Sequence, residues 1–153
     1  MLILVIVISV ALPSLKGFFK GRNQESEVRQ FLDLTRYGQS RAVSEGIPMV
    51  LWINPRIGTY GLNAEPGYLD YDPKSVSYTV DPDLTLNVFQ RAKAGAKGPK
   101  SLLPSIHFLP EGTIGLNSVD AVSIVDSKGA PLWVAQSLEG LWYEIRVQYN
   151  VRR

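Results

Sequence analysis

PSLKGFFKGRNQESEVRQFLDLTRYGQSRAVSEG, residues 13–46, carries one face of an α-helix. Val28, Phe31, Leu32, Thr35, Gln39 and Ala42 recur at spacings of three and four with a single step of one, and Leu34 and Val43 lie beside them. That period places these residues on one side of a helix. Charges fill the other side: Arg22, Glu25, Glu27, Arg29, Asp33, Arg36 and Arg41. The pattern predicts an amphipathic helix from near Lys20 to Ser44, stopped by Gly46 and Pro48, because glycine caps a helix and proline cannot continue it.

Upstream, residues 2–12 read LILVIVISVAL, with Ser9 as the one polar side chain and no charge before Lys16. A helix over residues 1–15 is roughly 22 Å long, against a hydrocarbon core of roughly 30 Å. Two readings compete. The segment is either the apolar region of a cleaved signal peptide or a membrane helix whose first turns precede Met1. A cleaved signal releases a loop or strand after a small-residue site; here Pro13 leads straight into a helical pattern, which favours the second reading. Lys16, Lys20 and Arg22 follow the apolar run, as at a membrane boundary. Pro13, Gly17 and Gly21 weaken the join and allow a kink or local melting. A soluble protein with a buried first helix is the competing architecture, but soluble helices rarely carry so pure an apolar stretch.

The totals narrow the class. The chain has 153 residues, 45% hydrophobic and 20% charged, which suits one compact domain plus an extra element. The net charge of +2 does not by itself imply nucleic acid or an acidic substrate. There is no cysteine, which excludes disulfides, thiolate chemistry and cysteine-based zinc sites. Ten prolines and thirteen glycines, mostly after residue 45, fit short strands and many turns.

Beyond Pro48 the period changes. Residues 48–53 (PMVLWI) read as a strand, 54–58 (NPRIG) as a turn, and 59–62 (TYGL) as the return strand of a hairpin. Residues 63–74 read as a loop, and 76–80 and 84–88 as strands around Asp81-Pro82-Asp83. Residues 91–100 (RAKAGAKGPK) read as a mobile surface loop. Residues 105–109 form a strand with Ile106 and Phe108 on one face; 122–125 and 131–136 form a hairpin around Asp126-Ser127-Lys128-Gly129. Residues 141–151 (LWYEIRVQYNV) read as the last strand, with Leu141, Tyr143, Ile145, Val147 and Tyr149 on one side and Trp142, Glu144, Arg146, Gln148 and Asn150 on the other. One helix followed only by strands predicts an α+β fold: a meandering antiparallel β-sheet covered by the amphipathic half of the helix. Trp133 is expected on the sheet face under the helix, and Trp142 in the opposite phase.

Little in the chain carries chemistry. His107 is the one histidine, alternates with Ile106 and Phe108, and has no nucleophile motif beside it. The chain is therefore not expected to be an enzyme, and no cofactor is expected. Asp70, Asp72, Asp81 and Asp83 are candidates to gather around calcium, but Asp-Tyr-Asp and Asp-Pro-Asp are ordinary turn chemistry. Arg91, Lys93, Lys97, Lys100, Arg146, Arg152 and Arg153 are candidates for phosphate contact. A solvated loop and a frayed terminus are the better reading, since Glu139 and Glu144 lie nearby.

Four segments resemble the GspH/FimT family of minor pseudopilins and minor pilins. ALPSL at 11–15 looks like the end of the apolar part of a class III signal-anchor helix. RAVSEGIPMVLWINPRIGTYGL at 41–62 is similar to the family's helix end, short strand and Asp/Asn-Pro-x-x-Gly-x-Tyr turn. IHFLPEGTIG at 106–115 and IVDSKGAPLWVAQSLEG at 124–140 resemble its later strand and closing hairpin. The basic leader, cleavage-site glycine, phenylalanine and early glutamate of such proteins have no counterpart: the first glycine is Gly17 and the first acid Glu25. The leader and first turns are thus expected to precede Met1.

The resemblance implies a type IV pilin-like fold divided into residues 1–19, the membrane and filament-core part of the helix, and 20–153, the second half of the helix with a periplasmic β-rich domain. It implies a single-pass inner-membrane protein that joins other pseudopilins or pilins in a hetero-oligomeric filament. Leu2, Leu4, Ile6, Ile8, Leu12, Pro13, Leu15, Phe18 and Phe19 are the candidate membrane and filament-packing residues. The implied role is a structural subunit near the tip of the type II secretion pseudopilus. The alternative is a minor type IV pilin in pilus assembly or DNA uptake, although the closely spaced arginines of DNA-binding members are missing from GLWYEIR at 140–146.

Overall fold

The computed structural model describes residues 2–91 and 103–150, with side chains from residue 23 onward. Helix α1 runs unbroken from Leu2–Glu45. It continues through Pro13, Gly17 and Gly21. It ends as expected: the Gly46 N–H donates to the Ala42 carbonyl, and Gly46 takes φ +68°, a conformation that glycine adopts freely.

Among the described residues eight strands follow: β1 (Met49–Asn54), β2 (Thr59–Ala64), β3 (Val76–Thr79), β4 (Thr85–Phe89), β5 (Ser105–Phe108), β6 (Ala121–Val125), β7 (Pro131–Gln136) and β8 (Tyr143–Arg146). They form two antiparallel four-stranded sheets, in the orders β3-β2-β1-β5 and β4-β6-β7-β8. The expected single meander is therefore replaced by two sheets. The switch occurs at Asp81-Pro82-Asp83, where β3 pairs with β2 but β4 pairs with β6. A tight hairpin needs residues at positive φ. Among the described residues only glycines take it, and this turn has none. Pro82 and the Asp81 side chain, which accepts the Asp83 N–H at 2.9 Å, instead carry the chain around a corner.

The helix lies across both sheets, packing on β1 and β5 of the first and on β6, β7 and β8 of the second. Val28, Phe31, Leu32, Leu34, Thr35 and Ala42 are buried beneath it, as their spacing required. Phe31 meets Tyr60 edge-on at 5.0 Å. The first sheet contributes cross-strand rows such as Ile106, Leu51 and Leu62. The second contributes Leu86, Ile124, Val122 and Val134. Burying about 25 cal/mol per Å² of apolar surface makes this shared seam the main source of cohesion.

Three expectations are corrected here. Arg41, placed by period on the solvent face, is 4% exposed. Trp133 lies opposite the helix: its neighbour Val134 points into the core, while Trp133 meets Tyr149 at 5.2 Å on the outer face. The last strand is β8 alone. After Arg146 the chain leaves the sheet, and Tyr149 folds back between Trp133 and Phe89, whose ring lies 5.8 Å away. Sheet alternation placed Tyr149 with Tyr143; two aromatic rings on the outer face offer it a larger apolar contact.

Candidate assembly surface

Polar side chains fix the second half of α1 to the sheets. Gln24 donates through Nε2 to the carbonyls of Ile124 (2.8 Å) and Ala130 (2.6 Å), on the β6–β7 hairpin. Gln39 donates to Gly112 (2.7 Å) and Leu141 (3.0 Å). The Tyr60 hydroxyl donates to Glu27 Oε2 at 3.2 Å. Burial raises the Glu27 carboxyl above its usual range, with the Tyr60 bond opposing and the Asp81 charge adding. Burial likewise pushes the Tyr60 phenol up.

Near its end the helix grips the loop between β2 and β3. Arg41 pairs with Asp72 at 2.9 Å and also with Glu45. Burial works against the Arg41 charge, but these partners outweigh it and hold the guanidinium above its ordinary value. The Arg41 bond holds Asp72 below the aspartate range, against burial, and holds Glu45 below the glutamate range. Asp72 is thus committed to an ion pair. Among the described residues no group of three or more acids and histidines is placed to hold a metal ion, so the four aspartates do not gather.

Two surfaces stand out around this frame. The first is apolar. Leu138, Leu141, Trp142, Ile145 and Val147 are all exposed, Leu138 at 93% and Val147 at 73%. Period placed Leu141, Ile145 and Val147 on the same side as Tyr143; β8 is an edge strand, and of these four Tyr143 alone is buried. The Gln39–Leu141 bond ties the start of this stretch to the helix. Clustered exposed apolar groups mark interaction surfaces. The second is a cleft of about 720 Å³ between α1 and β3, with Leu34, Tyr37, Val76 and Tyr78 among its walls.

The remaining candidates resolve as follows. Arg91 is exposed, and its N–H donates to Asp120 at 2.6 Å. It shares a surface hollow with Asp120, Glu139 and Arg146, so the charge there is mixed. Arg146 pairs with Glu144 at 2.6 Å. Lys93, Lys97, Lys100, Arg152 and Arg153 lie outside the described residues. His107, alternating with the buried Ile106 and Phe108, is half-buried: its Nε2 lies 2.9 Å from Ser105 Oγ, and its Nδ1 lies 3.9 Å from Glu65. The order resembles a serine, histidine and acid relay, but Ser105 is buried. Burial lowers the His107 pKa, and Glu65 opposes the shift. The candidate membrane and filament residues, Leu2, Leu4, Ile6, Ile8, Leu12, Pro13, Leu15, Phe18 and Phe19, precede the first described side chain. Among the described residues no helix is long and apolar enough to cross a membrane.

Solved structures with this fold include the minor pseudopilin EpsH from the type II secretion system of Vibrio cholerae, 13% identical, with a TM-score of 0.56 over 81% of this chain and 94% of that one. They also include the type IV minor pilin FimU of Pseudomonas aeruginosa, 15% identical, with a TM-score of 0.57 over 86% of this chain and 92% of that one. No protein-family model and no curated protein matches the sequence. The fold is therefore the type IV pilin-like one: a helix packed on antiparallel sheets, as the sequence resemblance implied.

Proposed function

We propose that the chain is a minor pseudopilin, a structural subunit near the tip of a type II secretion pseudopilus that supports protein export across the outer membrane. One observation carries the reading. A single helix, Leu2–Glu45, has its second half buried on a β-domain with the EpsH fold, while the sequence of its first turns, residues 2–12, is apolar but for Ser9. Such a helix keeps its apolar surface covered both in lipid and among neighbouring helices, so transfer from membrane to filament is feasible. In this reading residues 1–19 are the membrane and filament-core part. Residues 20–153 stand in the periplasm and meet other subunits. The work of the molecule is assembly rather than catalysis.

The likeness to FimU supports a second reading, a minor type IV pilin. Nucleic acid is a weaker partner in either case, because the described arginines Arg91 and Arg146 sit among acids.

Crosslinking the full-length protein in its native membranes, followed by mass spectrometry of its neighbours, tests both. Type II pseudopilins and inner-membrane secretion components as partners support the first reading. Type IV pilins and retraction machinery support the second. Recovery of no filament subunit overturns both.

A further inference from the structure

The cleft beside β3 borders an open sheet edge. In an antiparallel pair, hydrogen-bonded and non-hydrogen-bonded residue pairs alternate. The Val80 N–H donates to the Gly58 carbonyl at 2.7 Å. With the register Tyr60↔Tyr78 and Gly61↔Ser77, it follows that Val76 and Tyr78 bond to β2, while the backbone N–H and C=O groups of Ser77 and Thr79 point away from it. The β1–β2 ladder agrees: the Glu65 N–H donates to Pro48, so odd-numbered residues of β2 face β1 and even-numbered ones face β3. Ser77 and Thr79 are exposed.

Two of the other three edges, those of β5 and β8, are guarded. The segment after β5 closes that edge, where Phe108 bridges Ile114 and the Gly115 N–H donates to His107. β8 carries the charged pair Glu144 and Arg146, a common defence of edge strands. Among the described residues the edge strands β3 (VSYT) and β4 (TLNVF) carry neither charge nor proline, and of the two it is β3 that borders the cleft.

We propose that this edge and cleft receive an extended segment of a partner protein, added as a fifth strand beside β3, with basic, acidic and basic residues at alternate positions. The walls say why. Glu25, Arg29 and Asp33 border the cleft at successive steps of four along α1, about 6 Å apart. Same-face residues of a strand are about 6.6 Å apart, so three inward side chains of such a segment meet three helix charges of opposite sign. Leu34, Tyr37, Val76 and Tyr78 below them take the aliphatic stems of lysine or arginine. Backbone bonds to Ser77 and Thr79 supply the strand preference, and the charges supply the selection. The inference stands on the globular half alone and does not depend on the filament reading.

The test uses the full chain, isotope-labelled, in detergent micelles. The probe is acetyl-Thr-Lys-Thr-Glu-Thr-Lys-Thr-amide, whose pattern reads the same in either strand direction; the control is the charge-reversed Glu-Lys-Glu peptide. The Lys-Glu-Lys peptide is expected to protect the Ser77 and Thr79 amides from exchange, and the reversed peptide to bind about tenfold more weakly. Ser77→Pro, which removes an outward N–H that the fold does not use, is expected to abolish binding and keep the melting temperature. Arg29→Glu is expected to weaken the Lys-Glu-Lys peptide. Unperturbed Ser77 and Thr79 amides at millimolar peptide, or equal binding of both peptides, would overturn the proposal. Unfolding of S77P together with a Ser77 amide that already exchanges slowly in the free protein would show that this N–H is bonded within the fold and overturn the edge assignment itself.

Discussion

Arg41 and Asp72 form a two-pronged ion pair: Nη1 donates to Oδ2 at 3.0 Å and Nη2 to Oδ1 at 2.9 Å. Asp72 also accepts the backbone N–H groups of Ala64 (2.9 Å) and Lys74 (3.0 Å). One carboxylate therefore fixes the end of β2, the loop after it and the helix.

Asp72→Asn leaves the buried Arg41 charge without its main partner. A loss of about 3 kcal/mol in urea denaturation is expected. The double change Arg41→Met with Asp72→Leu removes both charges, and it should cost less than Asp72→Asn alone. A double variant that is less stable than D72N would contradict the pairing.

The pH dependence follows from the signs of the shifts. Arg41 depresses Asp72, and burial depresses His107. A group depressed on folding contributes stability above its unfolded pKa and loses it as pH falls through the folded value. Melting temperature should fall first below pH about 6.5, from His107, and again below about 3.9, from Asp72. Asp72→Asn should flatten the second step and leave the first.

Glu27 has the opposite sign. Burial raises its pKa, so its contribution is fully present below the unfolded value and is lost as pH rises through the folded one. Glu27→Gln keeps an acceptor for Tyr60 and removes the charge. It should be at least as stable as the parent at pH 7, with a smaller gap at pH 4. A clear loss at pH 7 would show that the charge itself is needed.

Gly38 marks a close approach of α1 to the first sheet. A Cβ there would lie 2.7 Å from the Phe108 ring and 2.9 Å from Leu62 Cδ1. Alanine gains about 1 kcal/mol in helix propensity, but crowding of this kind costs about 1–3 kcal/mol. Gly38→Ala should be net destabilising by chemical denaturation. A stabilised variant would mean that the helix lifts freely from the sheet.

Tyr149 bridges Phe89 and Trp133 on the outer face of the second sheet. Tyr149→Ala should destabilise by about 1–2 kcal/mol and shift Trp133 fluorescence to the red as its ring is wetted, while Tyr149→Phe should change little. Unchanged emission in Y149A would mean that the ring contact is not kept in solution.

The helix and most strands were legible because their signals are local. Val28, Phe31, Leu32 and Ala42 repeat at helical spacing, Gly46 caps, and Ile106 and Phe108 alternate as strand residues must. Arg41 was misplaced because period reports the direction of a side chain and not what a distant loop brings to it; its partner lies 31 residues away. Leu141, Ile145 and Val147 alternate in the sequence, yet β8 spans only Tyr143–Arg146, and nothing local says where the strand stops or which of its residues the helix covers. Of the assembly surface only its apolar composition was visible. The open edge at Ser77 and Thr79 depends on pairing across β2, which no spacing encodes.

The sequence alone determined an α+β chain with one long helix, apolar and then amphipathic, followed by strands, because hydrophobic period and turn chemistry act within a few residues. Only the tertiary structure decided that the strands divide into two sheets, that Tyr149 turns to the outer face, and that Arg41 is buried against Asp72. Those outcomes rest on pairings between distant residues, where burial and ion pairing outweigh local preference.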